Sequence, residues 1–210
     1  MTPIARPSKI VCVGRNYVAH AAELGNEVPA EPLLFLKPPS ALIRAGDAIV
    51  LPPGAGRVDY EGEIGVLMGR RAYQVREEEA LEFVEAILPV NDVTARDLQR
   101  KDSQWTRAKG FDTFCPVGDR VPLGEVDLGG LSVVTRLNGE ERQRASADQM
   151  VFSIPFLISY ISRIMTLEPG DLVATGTPEG IGPLADGDVV EVELVGLSSL
   201  LNPVLAGGET

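Results

Sequence analysis

Histidine and tryptophan each occur once in the 210 residues, cysteine occurs twice, and basic residues are outnumbered 19 to 30 by acidic ones. Each scarcity excludes something. Cys12 and Cys115 stand far apart in no CxxC pattern, and Cys12 lies in the apolar run Ile10-Val11-Cys12-Val13, so both read as reduced structural thiols of a cytoplasmic protein. A formal net charge of -11 argues against a nucleic-acid partner, because phosphate binding depends on clustered Lys and Arg. No membrane segment is expected. The most apolar stretch, Val151 to Met165, carries Ser153, Pro155, Ser159, Ser162 and Arg163 and falls short of the roughly 20 apolar residues that span a bilayer. The opening Met-Thr-Pro-Ile-Ala-Arg-Pro lacks the apolar core of a secretory signal. Apolar residues themselves are plentiful, and a hydrophobic content of 44% excludes general disorder. The length suits one domain over residues 1–210, with a core over about 10–195.

Ile10 to Val13 reads as a short buried strand ended by Gly14, after which Asn16 can cap a helix through about Leu24, with Gly25 terminating it. Residues 32–39 form an extended segment fenced by prolines. A Gly-Asp turn feeding a strand recurs at Gly46-Asp47, Gly170-Asp171 and Gly187-Asp188, a mark of a β-rich domain. Arg76 to Ile87 is acidic and amphipathic and predicts a surface helix; Thr94 with Asp97 can start a short helix to about Lys101. Leu131 to Leu137 followed by Asn138-Gly139 predicts a hairpin, and Ser153 can cap a helix over Ile154 to Met165. Strands at Leu172 to Thr175 and Val189 to Leu194 complete the expected fold.

The chemistry centres on Tyr60-Glu61-Gly62-Glu63-Ile64. Around it Tyr60, Ile64, Val66 and Met68 alternate as on a half-buried strand, so Glu61 and Glu63 point to one side. Two adjacent carboxylates there either border solvent or share a cation. Asp92, at the end of an apolar segment, is either a third carboxylate for the same cation or a helix cap. Three acidic groups, one histidine and no Cys pattern describe a hard oxygen-ligand site for Mg²⁺, Mn²⁺ or Ca²⁺ better than a zinc site. Lys109, between small and aromatic residues, is either a cation for a substrate carboxylate or enolate, or a surface lysine. His20 and Glu23 share a helix face as base and orienting carboxylate, or as an incidental ion pair. Thr175-Gly176-Thr177-Pro178-Glu179-Gly180 is either a loop that approaches a ligand or an ordinary turn.

Six words in order, Gly14-Arg15-Asn16-Tyr17-Val18-Ala19-His20, Leu34-Phe35-Leu36-Lys37-Pro38, Tyr60-Glu61-Gly62-Glu63, Asn91-Asp92-Val93-Thr94-Ala95-Arg96-Asp97, Ala108-Lys109-Gly110-Phe111-Asp112 and Thr175-Gly176-Thr177-Pro178, resemble the fumarylacetoacetate hydrolase family. Within it they are most similar to the short, single-domain acylpyruvate hydrolases. The resemblance implies an α+β, β-rich fold: a mixed β-sandwich roll of the family's C-terminal domain type with a few short helices, forming a homodimer. It implies Mg²⁺ or Mn²⁺ on Glu61, Glu63 and Asp92, a substrate site lined by Arg15, Gln99, Lys109 and Thr177, and His20 with Glu23 on a segment that orders over substrate. The implied reaction is cleavage of small 2,4-diketo acids to pyruvate and a carboxylic acid. The alternatives are oxaloacetate decarboxylation or tautomerisation and 2-hydroxyhepta-2,4-diene-1,7-dioate isomerisation. A non-catalytic Ca²⁺-binding module is the remaining contrast.

Overall fold

The computed structural model describes residues 6–208 apart from Leu24 and Asn26. In chain order its elements begin with β1 (Ile10–Gly14), α1 (Val18–Glu23), β2 (Leu33–Lys37), β3 (Leu42–Arg44), β4 (Ile49–Leu51), β5 (Val58–Tyr60) and β6 (Gly62–Met68). The middle of the chain supplies β7 (Val84–Asn91), β8 (Thr94–Ala95), α2 (Arg96–Lys101), α3 (Thr106–Lys109), β9 (Cys115–Val117) and β10 (Val121–Pro122). It closes with β11 (Ser132–Leu137), β12 (Glu140–Ser146), α4 (Ile154–Ile164), β13 (Leu172–Ala174), β14 (Gly182–Pro183), β15 (Val189–Leu194) and β16 (Ser198–Ala206).

One sheet runs β2-β1-β13-β6-β7-β9-β3 with β10 on β7, a second runs β12-β11-β15-β16-β4, and β14-β5-β8 make a small third. Pairing is mixed: β1 with β13, β3 with β9 and β16 with β4 are parallel, and the other pairs are antiparallel. This is the α+β, β-rich sandwich that the sequence predicts.

Strand periodicity explains the layering. Val11 and Val13 of β1, with Ile64 and Val66 of β6, face a core shared with Val133, Val192 and Leu200 of the second sheet and Leu157, Ile158 and Ile161 of α4. The alternate residues Ile10, Cys12, Leu67, Leu88 and Val90 build a second core on the other face. Every residue of β6 is therefore buried, not half-buried as expected. Both thiols are free and buried, and burial pushes Cys12 well up and Cys115 to about 12.

The recurring Gly-Asp turns share one geometry. Gly46, Gly170 and Gly187 have φ of 88°, 87° and 86°, a left-handed conformation open to glycine. The next residue's carboxylate accepts the amide three positions back: Arg44 N to Asp47 at 2.9 Å, Glu168 N to Asp171 at 2.8 Å and Ala185 N to Asp188 at 2.7 Å. The hairpin β11–β12 and the helix α4 form as expected, and Ser153 Oγ accepts Phe156 N at the start of α4. Gly25 is left-handed with φ 68°, but the expected helix end at Leu24 lies outside the described residues.

Four further expectations fail. Asn16 does not cap α1, because its side-chain oxygen accepts Phe152 N at 2.8 Å instead of an amide of the helix. Arg76 to Ile87 is not one surface helix: a 3-10 helix covers only Glu77–Phe83, and the chain passes into β7 at Val84. The β-branched and apolar residues from Val84 to Val90 gain both sheet pairing with β6 and burial, which a surface helix would forgo. Thr94 does not start α2. It joins β8, its hydroxyl donates to Asp92 O at 2.8 Å, and Asp97 instead accepts Arg57 N at 3.2 Å. Finally, the fold does not end at Leu194. β16 pairs antiparallel with β15 and parallel with β4, and tolerates Pro203 near the end of its ladder with β15.

Candidate active site

Glu61, the residue between β5 and β6, and Glu63, the second residue of β6, end the first sheet beside Asp92, which follows β7. The antiparallel register sets Gly62 opposite Asn91, and Asp92 N donates to Glu61 O at 2.8 Å, so the three carboxylates converge. One oxygen from each lies within 4.8 Å of the others, and all three side chains are buried.

Cations surround two of the three. Lys109 Nζ donates to Glu61 Oε2 at 2.8 Å and Asp92 Oδ2 at 2.5 Å. Lys37 Nζ donates to Asp92 Oδ1 at 2.6 Å and Val93 O at 3.0 Å. Arg96 bonds Glu61 through Nη2, Asp59 through Nε at 2.8 Å and Gln99 Oε1 through Nη1 at 2.8 Å. Burial raises the Glu61 carboxyl, but the Arg96 and Lys109 charges outweigh it and hold the group well below the usual carboxylate range. Burial likewise lowers Lys109, and Asp92 and Glu61 more than offset it, so the ammonium titrates above its ordinary value.

Glu63 differs. It accepts Gly176 N at 2.8 Å, yet burial, followed by the charges of Asp92 and Glu61, pushes its carboxyl well up. An acidic group so situated is relieved by a positive ion near the other two carboxylates. With only oxygen donors converging, the residues present fit a hard divalent cation such as Mg²⁺ or Mn²⁺.

These carboxylates border a cavity of about 320 Å³ whose wall also includes Arg15, His20, Phe35, Gln99, Trp105, Lys109 and Thr177. Phe35 meets Trp105 edge-on at 5.2 Å and lies 4.8 Å from Lys109 Nζ. Arg15 is held at φ 58°, an uncommon conformation for a side-chain-bearing residue, at the cavity edge. The Thr177 hydroxyl donates to Gly62 O at 2.9 Å. Asn16 fastens the neighbouring loop, donating to Thr175 O at 2.8 Å and Phe152 O at 3.0 Å. His20 is only 4% exposed, which rules out an ordinary surface pair; its Nδ1 lies 3.3 Å from Glu23 Oε2, and Glu23 Oε1 accepts Gly180 N at 3.1 Å.

All nine residues singled out in the sequence thus fall on one region, eight on the cavity wall and Glu23 behind His20. The surface-lysine reading of Lys109 fails because the side chain is 2% exposed, and the capping reading of Asp92 fails because lysines hold both of its oxygens. Sequence reasoning missed the parts played by Lys37, Arg96, Asp59 and Trp105. A charged residue inside the apolar, proline-fenced word Leu34-Phe35-Leu36-Lys37 was the available signal for Lys37.

The fumarylacetoacetate (FAA) hydrolase C-terminal family matches residues 9–205. This chain belongs to that family. Among curated relatives, the mitochondrial oxaloacetate tautomerase of Arabidopsis thaliana is 43% identical over 198 residues, covering 92% of this chain and 89% of that protein. A 5-carboxymethyl-2-hydroxymuconate delta-isomerase from Mycobacterium smegmatis superposes with a TM-score of 0.91 at 44% identity, covering 99% of this chain and 82% of that one. A fumarylpyruvate hydrolase from Pseudomonas aeruginosa, crystallised with Mn²⁺ and pyruvate, superposes with a TM-score of 0.90 at 32% identity and covers 99% of both chains. Family members are thus enzymes of more than one reaction type. Among the described residues no helix is long and apolar enough to cross a membrane.

Proposed function

We propose that this chain is a divalent-metal-dependent hydrolase of small 2,4-diketo acids, releasing pyruvate and a carboxylic acid. The observation that carries the reading is the convergence of Glu61, Glu63 and Asp92 on a cavity that also holds Lys109 and His20. Glu61, Glu63 and Asp92 would hold Mg²⁺ or Mn²⁺, which supplies a Lewis acid for the carboxylate and 2-oxo oxygens of the substrate. Lys109 places a second positive charge beside the oxygen that gains charge as the carbon-carbon bond breaks. Arg15, Gln99 and Thr177 orient the substrate from the cavity wall.

The His20–Glu23 pair supplies the proton step. With Nδ1–H directed to Glu23, Nε2 is left as the base that takes a proton from water attacking the distal carbonyl. The new carbon-oxygen bond displaces the pyruvate fragment, whose third carbon receives the electron pair and then a proton. A second reading, oxaloacetate tautomerisation or decarboxylation on the same carboxylate cluster, is favoured by the 43% identity to a tautomerase. We further infer that the chain acts as a single catalytic domain in the cytoplasm and as a homodimer. The exposed Leu36 on the edge strand β2, and Leu201 and Leu205 on β16, offer apolar surface for a second copy.

Mass-spectrometric product analysis with acetylpyruvate, fumarylpyruvate and oxaloacetate, each with and without Mg²⁺, tests the proposal. Mg²⁺-dependent release of pyruvate and a carboxylic acid from a diketo acid supports it. Turnover of oxaloacetate alone would replace it with the second reading.

A further inference from the structure

Strand β12 carries one buried polar side chain among exposed charges. Glu140, Glu141, Arg142 and Arg144 are exposed, whereas Gln143 is 2% exposed and points its amide toward the first sheet. Gln143 Oε1 accepts Gly62 N at 3.0 Å, and Nε2 donates to Thr177 Oγ1 and Pro178 O, each at 2.8 Å. Thr177 Oγ1 donates in turn to Gly62 O at 2.9 Å. These contacts close a ring in which both the backbone N–H and the backbone carbonyl of Gly62 are held.

Gly62 is the residue between Glu61 and Glu63, so fixing its backbone fixes the divergence of the two carboxylates on either side. The approach depends on glycine: a Cβ at this position would lie 1.9 Å from Thr135 Oγ1 and 3.3 Å from Gln143 Oε1. The second arm of the amide leads elsewhere in the site. Pro178 lies two residues before Gly180, whose amide holds Glu23 and, through it, His20. Gln143 itself lies behind the cavity wall.

We propose that Gln143 is a positioning residue that sets the Glu61–Glu63 geometry for a divalent cation by clamping Gly62 to the Thr177–Pro178 turn. The inference rests on the metal-binding reading above. Its physical basis is that a buried amide with three directed bonds restrains orientation, and that supporting partners of metal ligands typically govern affinity by about 10 to 100-fold.

Calorimetric titration of Mn²⁺ into the wild-type protein, Gln143→Met, Gln143→Asn and Asn202→Ala tests it. Gln143→Met keeps the length and removes every bond; Gln143→Asn keeps the amide but withdraws it by one methylene, and stands in if the first variant does not fold. Asn202→Ala removes a buried amide that bonds Arg44 O and Asp47 O away from the cavity, and reports what loss of stability alone does. We expect Mn²⁺ binding about tenfold weaker in the Gln143 variants, unchanged affinity in Asn202→Ala, and turnover of the Gln143 variants partly restored by saturating Mn²⁺. Affinity within about twofold of wild type in a folded Gln143 variant overturns the inference, whatever the melting temperature does. Absence of Mn²⁺ binding in the wild-type protein instead overturns the metal-binding reading and this inference with it.

Discussion

Glu23 accepts the backbone amide of Gly180 at 3.1 Å, from 157 residues away in the chain. Its other oxygen faces His20, so a single carboxylate couples the imidazole to the loop that carries Thr177. Hydrolysis needs a base for the attacking water, whereas decarboxylation of oxaloacetate does not. We expect His20→Ala to lower acylpyruvate hydrolysis by about 10²–10⁴ and oxaloacetate decarboxylation much less. Steady-state rates on both substrates at saturating Mg²⁺ check this, and equal losses would reassign the α1 segment to excluding water.

Glu61→Gln, Glu63→Gln and Asp92→Asn each remove one charge from the converging set. Metal-dependent turnover should fall in all three while the far-ultraviolet circular dichroism stays that of a folded protein. Unaltered Mg²⁺ affinity by calorimetry in all three variants would sink the proposed metal site.

Lys109→Met removes the ammonium held between Glu61 and Asp92. The expected loss in turnover is on the order of 10²–10³. Without metal the variant should also lose roughly 3–5 kcal/mol of stability, because two buried carboxylates lose a shared partner. Mg²⁺ should restore part of that loss by mass action. Paired urea melts with and without Mg²⁺, set beside kinetics, check both halves; wild-type kinetics would take Lys109 out of the reaction.

Asp171 ties the residues just before β1 to the turn before β13, accepting Ser8 N at 3.0 Å, Ser8 Oγ at 2.6 Å and Lys9 N at 3.1 Å, with Lys9 Nζ as an ion-pair partner. Burial raises its carboxyl, but the Lys9 and Ser8 bonds prevail and its pKa is lowered. A lowered folded-state pKa adds stability that is fully present above the unfolded value of about 3.9 and disappears as pH falls through the folded value. The stability gap between wild type and Asp171→Asn should therefore be flat near neutrality and shrink below about pH 4. Denaturant melts across that range would contradict this if the gap stayed constant.

Light scattering at micromolar concentration should return twice the chain mass. A monomer mass would remove the dimer from the proposed function.

The strands were legible where period and punctuation agreed, as at β1, β11, β15 and the three Gly-Asp turns, and the acidic pair was legible because Glu61 and Glu63 are two apart where the chain enters β6. Arg76 to Ile87 misled because its acidic start has helical character, while the partner that claims its apolar end, β6, is set by pairing that local periodicity does not encode. Lys37 and Arg96 escaped notice for a related reason. Lys37 reaches Asp92 across 55 residues and Arg96 reaches Glu61 across 35, so their value to the site exists only once the sheet has formed.

The cavity wall also carries the protein's sole indole. Trp105 stands edge-on to Phe35, whose ring lies against the Lys109 ammonium, so we expect its emission to respond when the space between the carboxylates and Arg15 is filled. A titration of Mn²⁺ or pyruvate read at this one tryptophan would then report occupancy of the proposed site without a label, and without a second indole to dilute the signal.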